Sequence, residues 1–136
     1  MHIAGFDFDV SEIGGCRIIE STYPPTIDVS KLSAVIASYY DLWDEDIPTA
    51  ALTGLTQLDA LTGDIRNILA SVIQRTVLQT SFVGSAWYTG PRPSMAEDLR
   101  SILRQAGRPD TNVFESREAA IAYLTNLFRE HDTTGS

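Results

Sequence analysis

The segment Asp59-Ala60-Leu61-Thr62-Gly63-Asp64 places two carboxylates and a hydroxyl where an apolar stretch, Ala50 to Leu55, gives way to a helical period. A helix start presents unpaired backbone N–H groups and a partial positive potential, which suits an anion or a phosphorylated hydroxyl. Thr62 is the hydroxyl within reach, and Asp64 beside it would repel an added phosphate. Capping by Asp59 or Thr62 satisfies the same N–H groups without any ligand and is the simpler role.

Three further groups have the right residue types for chemistry. Asp41, Asp44, Glu45 and Asp46 are hard-cation ligands by type but lack the ordered spacing of a calcium loop, so they read as a solvated acidic turn. Arg92, Arg100, Arg104 and Arg108 gather near one helix and could hold a carboxylate or phosphate, although Glu97 and Asp98 on the same helix favour a mixed, solvated face. Asp7 and Asp9 alternate with apolar positions and should face water. His2 and His131 sit at opposite ends of the sequence with no nucleophile or ligand-spaced neighbour, and no phosphate loop, dinucleotide fingerprint or nucleophile elbow is present. No catalytic residue, metal ligand or cofactor site is therefore assigned.

Composition narrows the class. With 136 residues, 43% hydrophobic and 21% charged, the chain fits one globular domain with a real core. Its net charge of −8 disfavours nucleic acid and anionic membrane surfaces as partners. The single cysteine, Cys16, excludes an internal disulfide and reads as a small apolar strand residue. There is no positively charged n-region and no apolar run of membrane-spanning length, so no membrane insertion and a cytoplasmic location are expected.

Periodicity supplies the elements. The alternation over residues 3–13 predicts one half-buried strand, Gly14-Gly15 a tight turn, and Cys16 to Thr22 the return strand ended by Tyr23-Pro24-Pro25. Asp28 or Thr26 should cap a helix carrying Val29, Leu32, Ile36, Tyr39 or Tyr40, and Trp43 inward. A strand at Ala50 to Leu55 precedes a helix through Ile65, Ile68, Leu69, Val72 and Ile73. Phe82 to Tyr88 reads as a buried strand, and Ser94 with Glu97 as a capping box opening the next helix, which Gly107 and Pro109 stop. Val113-Phe114 is a short strand, and Ser116 caps a last helix. The order ββαβαβαβα implies an α/β domain over residues 1–131, with an antiparallel hairpin beside a parallel section, and a disordered tail at 132–136.

Two stretches in this order resemble STAS domains, the fold of anti-sigma factor antagonists and of sulfate-transporter tails. Leu52-Thr53-Gly54-Leu55-Thr56 resembles the strand end that in the family runs into Asp-Ser-Ser-Gly at a helix start, and Asp59 falls where the family's aspartate belongs. Gly107 to Leu124, with Val113-Phe114 and then Ser116-Arg117-Glu118-Ala119-Ala120-Ile121, is similar to the family's ending. Among relatives the chain looks closest to the divergent stand-alone bacterial branch described as STAS-like or SEC14-like. Where the family has its phosphorylatable serine this chain has Ala60, and Leu61 follows. The resemblance implies a non-enzymatic regulatory or protein-interaction domain with a protein partner, a homodimer being one form of it. Its contact surface would be Gln57, Asp59, Thr62, Gly63 and Asp64 with Thr89, Arg92 and Ser94. The alternative is a small-molecule or lipid-binding module whose pocket is lined by Trp87, Tyr88, Tyr39, Tyr40 and Trp43, aromatics that are more often core.

Overall fold

A tight reversal opens the chain in a computed structural model that describes residues 1–135, with side chains described through His131. Ala4 and Gly5 lie at positive φ, 52° and 86°, and join strand β1 (His2–Ile3) to β2 (Phe6–Ile13). The alternation that predicts one strand over residues 3–13 thus covers two antiparallel ones, with Ile3 opposite Phe6. Alanine rarely adopts a left-handed conformation, so Ala4-Gly5 lacks the usual sequence signature of a two-residue turn. Gly14 and Gly15 do carry it, at φ 58° and 83°, and lead into β3 (Cys16–Thr22).

From β3 onward the pairing is parallel. Strands β4 (Thr49–Gly54), β5 (Phe82–Tyr88) and β6 (Val113–Phe114) add in chain order, so the sheet runs β1-β2-β3-β4-β5-β6. Parallel neighbours need a crossover at each step. Helices α1 (Leu32–Tyr40, preceded by a 3₁₀ turn at Val29–Lys31), α2 (Gly63–Val77) and α3 (Pro93–Gln105) supply them, and α4 (Arg117–Gly135) follows β6. The fold is α/β with a mixed sheet, and the expected partnership of the strands at 50–55 and 83–88 is present, Ala51 lying opposite Ser85. The tail expected at 132–136 lies outside the fully described residues.

Alternation along each strand sends neighbouring residues to opposite faces. On one face Phe6, Phe8, Ile19, Trp87 and Val113 meet Val35 and Tyr39 of α1, Ile65, Leu69 and Ile73 of α2, and Leu99, Ile102 and Leu103 of α3. On the other, Ile18, Ala50, Leu52 and Ala86 carry α4 through Ala120, Leu124 and Phe128. Helix starts follow local chemistry. Asp28 accepts from the Ser30 N–H at 3.1 Å, and Ser116 Oγ from the Ala119 N–H at 3.1 Å. The Ser94–Glu97 capping box does not form: Pro93, with φ pre-set for a first turn, starts α3 two residues earlier and leaves Ser94 inside the helix. Glu97 instead meets Arg104 at 2.8 Å.

A polar clasp joins the distant parts of the α4 face. Glu20 of β3, 9% exposed, accepts from Arg117 at 2.8 Å from Nη2 and 2.9 Å from Nε, and from the Tyr88 hydroxyl. Tyr88 belongs to β5 and reaches Glu20 across β4 because Gly54 between them has no side chain. A Cβ on Gly54 would overlap the tip of the Tyr88 ring, whereas one on Gly84 meets a methyl of Leu127, the free end of a flexible side chain. Gly54→Ala should lower stability by about 1–3 kcal/mol, and Gly84→Ala by clearly less. Urea unfolding of both variants checks this, and equal losses would contradict the crossing.

Candidate functional site

The rim read from the sequence lies beyond the C-terminal ends of β4 and β5. Thr62 is the N-cap of α2, its Oγ1 accepting from the Ile65 N–H at 3.5 Å. Gln57, Asp59, Thr62, Gly63, Asp64 and Ser94 are exposed. Two residues assigned to the same surface have other work. Thr89 is fully buried, because its N–H extends the β5–β6 pairing to Phe114 O at 3.0 Å and its hydroxyl donates to Gly90 O. Arg92 turns its guanidinium onto the β4–α2 loop, donating from Nη1 to Leu55 O at 3.2 Å and to Leu58 O, and from Nη2 to Asp59 O at 2.9 Å. It brings the two expected loops together by holding backbone carbonyls, a role for which its planar donor fork is suited. Thr89, wholly inside, and Arg92, half-buried, therefore both help to position the rim.

The remaining arginines and carboxylates separate by partner. Arg104 bridges Glu97 and Asp110, each at 2.8 Å, Arg66 meets Asp98 at 3.1 Å, and Arg100 lies 3.8 Å from Glu97. Arg108 instead lies over the Phe82 ring, 5.6 Å from its centroid, with no carboxylate at ion-pair distance among the described residues. Asp44 closes a local turn by accepting from the Asp46 N–H at 2.9 Å, and no group of three His, Cys, Asp or Glu side chains converges among the described residues. Asp7 and Asp9 are exposed.

In the clasp, burial pushes the Glu20 carboxyl up, but hydrogen bonds from Arg117 and Tyr88 and the Arg117 charge outweigh it and hold the group below its usual range. Burial, then the bond to Glu20, pushes the Tyr88 phenol up to about 12. The sequence carried an unread signal here, since Glu20 interrupts the apolar strand Ile18-Ile19 with a charge at an inward position.

On the other face a mostly apolar cavity of about 60 Å³ separates the sheet from α1 and α2. Its wall is chiefly apolar and aromatic, with Phe6, Phe8, Tyr39, Val72 and Trp87 among its residues, while Ser21, Thr53 and Tyr23 add hydroxyl-bearing side chains and Arg108 a cation. Trp87 is 5% exposed, and its buried indole N–H has no hydrogen-bond partner. Burial holds the Tyr23 and Tyr39 phenols well above the usual range, so the wall stays neutral apart from Arg108. Of the five aromatics expected at a pocket, Trp87 and Tyr39 are on its wall. Tyr88 points to the opposite face, because adjacent strand residues must diverge. Tyr40 and Trp43 pack behind Tyr39, with ring centroids at 4.9 and 6.2 Å, and the Tyr40 hydroxyl donates to Val72 O at 3.1 Å. The contributions of Phe6, Phe8, Ser21 and Thr53 were not visible in the sequence, since each looks like an ordinary strand residue.

No protein-family model, curated protein or solved structure matches the chain. No helix among the described residues is long and apolar enough to cross a membrane.

Two outcomes test the polar scaffold. Arg92→Met should cost about 1 kcal/mol and speed hydrogen exchange at Leu58 and Asp59 in the loop it holds, whose N–H groups bond to Leu55 O of the same loop and to Pro25 O of the β3–α1 connection. Arg117→Ala should destabilise most at neutral pH. A carboxyl with a depressed folded pKa contributes stability above its unfolded pKa and loses it as pH falls through the folded value. The difference between parent and Arg117→Ala should therefore narrow on acidification through the carboxylate range, and a pH-independent difference in thermal unfolding would contradict the assignment of Glu20 as charged.

Proposed function

We propose that the chain is a non-enzymatic binding domain for a small, largely apolar molecule held between α1, α2 and the sheet. The cavity and the unpartnered Trp87 indole N–H on its wall carry this reading. An empty cavity of about 60 Å³ destabilises a core by on the order of 1 kcal/mol, and a buried donor without an acceptor adds about 1–3 kcal/mol. A ligand with an apolar body and one acceptor would relieve both. Concave, mostly apolar sites with a few placed polar groups are the common form of small-molecule pockets.

A second reading is a regulatory protein-interaction domain of the STAS-like kind, in a form without the family's phosphorylatable serine. Its support is the exposed rim at Gln57, Asp59 and Thr62 to Asp64, kept in shape by Arg92 and by the Thr62 cap. The resemblance in sequence agrees with that location, and the negative charge of the rim suits a basic partner. The two readings use different surfaces and are compatible.

Ala51, 6% exposed on the cavity wall, provides the test. Ala51→Val fills part of the space with a residue suited to strands. It should preserve or raise the melting temperature while abolishing binding. Native mass spectrometry of the parent from its own host should show a bound small molecule that the variant lacks. A bare parent, together with no thermal shift from any member of a panel of small apolar compounds, would end the ligand reading and leave the rim.

A further inference from the structure

We infer that the ligand of this cavity is a small carboxylic acid, its apolar part inside and its carboxylate on Arg108. The inference rests on the cavity reading and adds the chemical class of the ligand. Three of the four arginines that cluster around α3 in the sequence are engaged within the protein: Arg92 by loop carbonyls, Arg104 by Glu97 and Asp110, and Arg100 by Glu97 at longer range. Arg108 alone among these four lies on the cavity wall. It has no carboxylate at ion-pair distance among the described residues, in a chain of net charge −8 where acidic groups outnumber basic ones.

Its place is fixed by the end of α3. Gly107 at φ 72° turns the chain, the Gly107 N–H bonds to Arg104 O at 3.0 Å, and the Arg108 N–H bonds to Leu103 O at 2.8 Å. This closure leaves the guanidinium over the Phe82 ring, which also lines the cavity. A guanidinium beside an apolar wall is more weakly hydrated than an ammonium and presents a planar fork that a carboxylate matches with two parallel hydrogen bonds. The remainder of the wall suits the rest of such a molecule: Val72, Ile73, Val77 and Phe82 offer apolar surface, and the Trp87 N–H offers a second donor. The volume selects a slim body, a short acyl chain or a single ring, over a long lipid tail. A phosphate monoester would bring a second negative charge that this wall, with one cation, does not neutralise.

The experiment uses the full chain with hexanoate, methyl hexanoate and hexyl phosphate as probes. Binding is read from the two indole N–H resonances, with Trp43→Phe identifying that of Trp87, and from the melting temperature. Hexanoate should shift the Trp87 resonance and raise the melting temperature, and should bind more tightly than the other two probes. Arg108→Gln should weaken hexanoate by about tenfold or more while weakening methyl hexanoate clearly less. Equal affinity for hexanoate and its methyl ester, or an Arg108→Gln variant that binds hexanoate like the parent, overturns the carboxylate assignment and leaves the cavity reading standing. Tighter binding of hexyl phosphate reassigns the head group and also overturns it. If no probe moves the Trp87 resonance, both this inference and the cavity reading fail for small linear ligands, and a ligand-free mass for protein from its host then removes the cavity reading altogether.

Discussion

The passage of Tyr88 over Gly54 to the carboxylate of Glu20 is the contact on which the arrangement of both faces depends. It links β5 to β3 across an intervening strand, and through Arg117 it fastens the start of α4 to the antiparallel half of the sheet. The partners are 68 and 97 residues apart in sequence, so the contact cannot precede the pairing of β3, β4 and β5. A buried carboxylate without partners would be strongly unfavourable, and three hydrogen-bond donors from two side chains make this one tolerable. The clasp also determines a register. With Tyr88 committed to the α4 face, strand alternation sends Trp87 to the opposite face, and so Trp87 enters the wall of the cavity.

The two faces are packed by different means. On the α4 side small residues, Ala50, Ala86 and Gly84, let one long helix come close to the sheet, and Leu124 and Phe128 fill what remains. On the other side α1 has nine residues, a length at which a helix has little stability of its own. It is held largely by aromatic side chains: Tyr39 against Phe8 with centroids at 5.7 Å, and Tyr40 bonded to Val72 O and to Thr76. Bulky rings that bridge a gap leave irregular space between them, which accounts for a cavity on this face rather than the other. Leu32, Val35, Ile36 and Tyr39 all border that space, so an occupant would stabilise α1 by direct contact and, through mass action, the folded state as a whole.

Much of the fold was legible because its signals are local. Gly14-Gly15, the Ser116 cap, the period of two in Phe6 to Val10 and the helical stripe of α2 each report their own element. The first strand pair was not, because its turn uses Ala4 at φ 52°, a conformation that no sequence rule assigns to alanine. The start of α3 shifted because Pro93 outweighed Ser94, two neighbouring signals of which one had to lose. The part that Arg92 plays at the rim was not legible, because its acceptors are carbonyls of a loop whose path the sequence does not give. The cavity was least legible. It is a property of what several ordinary side chains fail to fill, and no single residue encodes a void.

Rim and cavity share one element. Helix α2 starts at the rim with Gly63, and farther along it Ile68, Val72, Ile73, Thr76 and Val77 border the cavity. A shared helix does not by itself make a coupled device, since a ligand shifts an equilibrium only by its difference in affinity for two states. The N-terminal end of α2 is tied by the Thr62 cap, by Arg66 donating to Leu61 O at 3.2 Å and by the loop that Arg92 holds. Its other end is tied more lightly, through the Tyr40 hydroxyl and through Arg75, whose guanidinium lies 4.0 Å from the Tyr40 ring centroid. Both of those ties run to α1. The freedom available to an occupant therefore lies in α1 and the last turns of α2, while the rim keeps its shape. Binding in the cavity would accordingly order the α1 side of the molecule and leave the rim presented as it is, so that the two proposed sites act as neighbours on one scaffold rather than as a switch.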